Sequence, residues 1–135
     1  MSARHLKFYL WVAVGGALGS LLRVAISVAW LNWIGTGFPW PTLLANVLGS
    51  LLVGFVAARA GSHNSSTLSE ELQMFLMAGF CGGLTTFSLV SLEVGLMMQI
   101  GDWYGAGIYL GLSLTGWLTA VAAGYRLGTR NAIPD

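Results

Sequence analysis

Charge is scarce in this chain. Six Lys and Arg and five Asp and Glu make up 8% of its 135 residues and sum to +1. That balance excludes a basic face for nucleic acid and an acidic solvating tail. The one cysteine, Cys81, rules out an internal disulfide and a cysteine-rich metal site. Set beside glycines, it reads as small apolar filler. Within the apolar segments no His, Asp and Glu cluster has metal-ligand spacing, no carboxylates are paired and no Ser meets a His. The glycines at 79–83 are not followed by Lys, so they do not form a Walker loop. These absences argue against an enzyme and against a nucleic-acid partner.

Apolar residues fill the space. They make up 56% of the chain, with a mean hydropathy of +0.73, outside the soluble range. Four stretches are long enough to cross a bilayer, at about 8–30, 42–60, 71–100 and 103–127. The reading is an all-α integral membrane protein, one four-helix domain over 1–135. Arg4 and Lys7 precede the first stretch as in a signal peptide, but the stretch continues through Arg23 to Trp30 and more spans follow. It reads as a retained helix. Pro39 and Pro41 suit the start of the second helix, with Trp33 and Trp40 at headgroup level. In the polar linker at 61–70, Thr67-Leu68-Ser69-Glu70 has capping-box spacing and predicts the third helix start. His63 there reads as solvated, and Asn64-Ser65-Ser66 as a chance glycosylation sequon.

An even number of spans places both termini and the middle linker on one side. That side holds Arg4, Lys7, Arg59, Arg126 and Arg130, whereas the other carries only Asp102. The positive-inside rule then makes both termini cytoplasmic.

The third stretch contains Gly79-Phe80-Cys81-Gly82-Gly83-Leu84-Thr85-Thr86-Phe87-Ser88. Glycines weaken a helix, and in lipid an interruption is tolerated only where its freed backbone groups are buried or line a water- or ion-holding cavity. The spacing predicts a helix broken near 79–85, with halves at 71–79 and 86–99 and a non-helical bridge at 82–85. Asn46 with Ser50, and Tyr109 with Ser113, place polar stripes on other helices, while Gly15, Gly16, Gly19 and Ser20 form a small-residue packing face. Amide, hydroxyl and ring-edge groups are donors, which favours an anion.

These residues resemble the CrcB/Fluc family of fluoride channels along nearly the whole chain. The match is carried by Gly15-Gly16-Ala17-Leu18-Gly19-Ser20-Leu21-Leu22-Arg23, by Thr42-Leu43-Leu44-Ala45-Asn46-Val47-Leu48-Gly49-Ser50, and by the glycine-threonine run. The resemblance implies an antiparallel dimer in the bacterial inner membrane that passively exports fluoride along two narrow pathways. It also implies a central structural sodium ion held by backbone carbonyls, at Gly82 and Thr85 here. Phe87 matches the first pore phenylalanine and Asn46 the pore asparagine. Ser88, Ser91, Tyr109 and Ser113 fall on the pathway side, and Arg23 and Glu93 near the vestibules.

Two features depart from that pattern. The family's second phenylalanine, three residues after the first, is replaced by Val90, and the lopsided Lys and Arg suit one orientation in the membrane. Either the chain forms a homodimer with one ring missing per pathway, or it pairs with an oppositely oriented homologue as one half of a heterodimer. Two other readings stay open: a small four-helix exporter coupling protons to substrate through Glu93, and a non-conducting membrane subunit.

Overall fold

The computed structural model describes residues 3–35, 37–61 and 68–130, with side chains from His5 onward. Arg4, His63, the sequon and Thr67 lie outside the side chains described. The elements are α1 (Ala3–Trp33), α2 (Trp40–Ala60), α3 (Glu70–Gln73), a π-helical stretch (Met74–Cys81), α4 (Gly82–Leu84), α5 (Phe87–Gln99) and α6 (Trp103–Arg130). Four helical segments, His5–Trp33, Trp40–Ala60, Glu70–Gln99 and Trp103–Arg130, are long and apolar enough to cross a membrane. The first and last run a few residues past their expected bounds.

Chain direction follows from the contacts. Gly15 faces Phe75 and Phe80, and Gly19 faces Phe80 and Leu84, so α1 runs parallel to the third segment. Gly116 faces Val47 and Gly128 faces Phe55 and Ala58, so α6 runs parallel to α2. Both seams bring main chain against main chain. A methyl group on Gly19 would collide with the Phe80 carbonyl oxygen, and one on Gly124 with that of Leu51. In a membrane, where water does not drive helices together, such close small-residue contact supplies the packing energy.

The helix ends are set by local chemistry. The third segment starts at Glu70, with the Ser69 hydroxyl accepting from the Leu72 N–H at 3.3 Å. Ser69 is thus the N-cap, because its side chain can reach the free amides of the first turn. Gly101, at φ +84°, makes the tight turn into α6, and the Asp102 carboxylate accepts from the Gly105 N–H at 2.8 Å. One end of the bundle gathers Lys7, Arg59, Arg126 and Arg130 by chain direction. The other presents Trp33, Trp103 and Tyr104, all exposed, as an interfacial aromatic belt would.

The glycines of the third segment do not form the expected bridge. Gly82 and Gly83 are helical, and the extended residues are Thr85 (φ −87°, ψ 152°) and Thr86 (φ −155°, ψ 125°). Gly83 rides on the main chain of Gly16, where a side chain would collide. Its smallness serves close approach, and the interruption falls where a side chain on α2 can take over backbone hydrogen bonds.

Candidate functional site

That side chain is Asn46, which is 2% exposed. The Thr86 N–H donates to its Oδ1 at 2.7 Å, and its Nδ2 donates to the Thr86 carbonyl at 3.0 Å. Only one orientation of the amide satisfies both bonds. In an unbroken helix the Thr86 N–H would bond to the Gly82 carbonyl, so the clasp leaves that carbonyl without its ladder partner, at an exposed residue. The Thr85 N–H and hydroxyl both donate to the Cys81 carbonyl, each at 2.9 Å. Beyond the clasp, Thr86 caps α5, its hydroxyl accepting from the Leu89 N–H at 3.2 Å. Gly49 gives the Thr85 methyl room against α2.

An open cleft of about 310 Å³ lies beside this junction, lined by Asn46, Ser50, Cys81, Gly82, Thr85, Thr86, Phe87 and Trp117 with Gly49, Val53 and Met77. None of these side chains carries a charge. Phe87 is 64% exposed, and its ring meets Trp117 edge to face with centroids 6.2 Å apart. Of the residues expected from sequence, Asn46, Phe87, Gly82 and Thr85 come together here. Ser88 and Ser91 are exposed on α5 outside the cleft, with the Ser88 hydroxyl 3.1 Å from that of Thr86 and the Ser91 hydroxyl donating to the Phe87 carbonyl at 3.1 Å. Val90 is completely buried and takes no part in the lining.

A second polar cluster lies further along α5. The Glu93 carboxylate accepts from the Thr42 hydroxyl and from the Tyr109 hydroxyl, both at 2.6 Å. Tyr109 is fully buried, with the Phe38 ring set edge to face on it at 5.3 Å. One turn on, Ser113 is also fully buried, its side chain directed at Tyr109. Arg23 stands apart on α1, half-buried, with no partner for its Nε among the described residues.

Thr42 and Trp117 are the residues that the sequence reading missed. Thr42 sits one turn before Asn46, a spacing that could have flagged it. Trp117 looked like any apolar Trp, although it continues the stripe of Tyr109 and Ser113 at the same spacing of four.

A family profile described as "CrcB-like protein, Camphor Resistance (CrcB)" matches residues 10–125. The chain belongs to this CrcB-like family. It is 43% identical over 122 residues to the "Fluoride-specific ion channel FluC 1" of Rhodopseudomonas palustris (strain BisB18), covering 90% of this chain and 86% of that protein. It is 45% identical over 121 residues to the "Fluoride-specific ion channel FluC" of a Thermus thermophilus strain, covering 89% and 92%. With the protein of that name in Chlorobaculum tepidum it shares 40% over 119 residues, covering 88% and 92%. These CrcB-like relatives are named as channels, not enzymes.

Proposed function

We propose that this CrcB-like protein is a passive, fluoride-selective channel that exports fluoride from the cytoplasm. The observation that carries the reading is the uncharged cleft, lined by amide, hydroxyl and ring groups. Fluoride is small and strongly hydrated, and a narrow path must replace its water with several donors while holding it weakly enough to release it. The names of relatives at 38–45% identity point the same way. Weak acid enters a cell as neutral HF, ionises inside, and the trapped anion would leave down its gradient.

The finer architecture belongs to the same proposal. The protein lies in the inner membrane with cytoplasmic termini and acts as an antiparallel dimer, with the interrupted third segments meeting near the centre. The Gly82 carbonyl, freed from the helix ladder, and that of Thr85 are hard oxygen ligands suited to a structural sodium ion. That ion would supply rigidity at the junction and takes no part in conduction. The Lys and Arg bias and the buried Val90 favour a second reading, in which the partner is an oppositely oriented homologue.

Fluoride efflux from liposomes holding the purified chain alone tests both. Efflux well above that of protein-free liposomes, with chloride retained, is expected. No efflux would sink the homodimeric channel, and recovery on adding a homologue would establish the heterodimer. Glu93→Gln keeps one acceptor for the two hydroxyls and is expected to lower flux less than changes at Asn46 or Phe87, with no response to a proton gradient. Flux driven by that gradient and abolished by Glu93→Gln would establish the exporter instead.

A further inference from the structure

Trp117 lines the cleft, yet its indole Nε1–H is buried and has no acceptor among the described residues. Burying a donor without an acceptor is costly, and native structures rarely leave one so. The fully buried Ser113 hydroxyl lies one turn earlier on the same face of α6. The stripe from Tyr109 to Trp117 is about 12 Å long at the rise of an α-helix. It joins the two polar regions, because Tyr109 bonds to Glu93 at one end and Trp117 meets Phe87 at the other.

We infer that the Trp117 indole N–H is an anion-binding donor of the pathway, and that its ring stands against Phe87 as the second aromatic wall, which Val90 does not supply. The inference rests on the channel reading. The two rings meet edge to face with centroids 6.2 Å apart, within the range of a true aromatic pair. An N–H that water does not reach at rest is free for an ion that has given up its own water. A Trp also offers what a Phe cannot, a polarised ring edge and a true donor in one side chain.

The test uses the full chain in its native assembly, with 15N-labelled Trp in lipid nanodiscs. Trp117 is assigned as the one of six indole N–H signals missing from Trp117→Phe, or from Trp117→Tyr should the Phe variant fail to assemble. Sodium fluoride is expected to shift that signal, whereas sodium chloride at equal concentration leaves it in place. In liposomes, Trp117→Phe keeps the ring and loses the N–H, so fluoride flux is expected to fall about tenfold, the scale of one donor to an ion. A signal unmoved by fluoride, or a Trp117→Phe variant conducting within about twofold of the unsubstituted protein, overturns the inference while the channel reading stands. An unsubstituted protein, alone or with its homologue, that carries no fluoride removes both.

Discussion

The two halves of the third segment meet their neighbours in opposite ways. Before Thr85, the π-helical stretch and α4 lie against α1 main chain to main chain, with Gly79 and Gly83 set on Val12 and Gly16. After Thr86, α5 meets α2 and α6 through side chains, in the Thr42–Glu93–Tyr109 cluster and the Phe87–Trp117 pair. Contact between main chains leaves no space for an ion, but it holds the segment rigidly. Side-chain contact leaves gaps and places polar groups at their edges. The Asn46 clasp sits at the boundary and belongs to both, because it satisfies backbone groups on one side and lines the cleft on the other.

Breaking the first half should have the largest effect. Gly19→Leu drives a side chain into the Phe80 carbonyl and the Leu84 amide, and a cost of about 3 kcal/mol or more is expected. Loss of the assembled species on gel filtration checks it. Asn46→Ala should come next, because it strips both partners from the Thr86 backbone, at about 2–4 kcal/mol for two orphaned groups. Thermal unfolding in detergent measures the cost, and liposome flux should fall at least about a hundredfold. Asn46→Asp keeps the acceptor for the Thr86 N–H but brings a carboxylate into the cleft, and its flux is expected to stay as low as that of Asn46→Ala.

The second half should separate stability from conduction. Val90→Phe overpacks a completely buried site and is expected to cost about 1–3 kcal/mol without raising flux. A faster channel would mean that the missing ring belongs at 90 after all. Phe87→Ala, at an exposed ring, should change unfolding by no more than about 0.5 kcal/mol. Its fluoride flux should nevertheless fall at least about tenfold, the scale of one lost contact to the ion. A stable Phe87→Ala variant with full flux would undo the contrast between the halves.

Much of this was legible in sequence, because lipid permits few arrangements and apolar length reveals the spans directly. Asn46, Tyr109 and Phe87 stood out because polar or ring-edge groups in such segments need partners. The position of the interruption was less legible. Gly82 and Gly83 read as the bridge because glycine is a poor helix former, yet Gly83's lack of a side chain is used for contact with α1. Thr85 and Thr86 leave the helix because Asn46, 40 residues away in sequence, offers what the helix would have given. Trp117 escaped notice because an orphaned donor can be recognised only once its surroundings are known.

The sequence by itself determined the membrane class, the four spans and the family, since each follows from composition or local motif. Tertiary structure alone decided which helices run side by side, where the third segment leaves the helical path, and that Glu93 is held by Thr42 and Tyr109. It also turned Val90 inward and set Trp117 against Phe87. Those outcomes depend on which backbone and side-chain groups find partners across helices, a matter of three-dimensional proximity that periodicity along one chain does not encode.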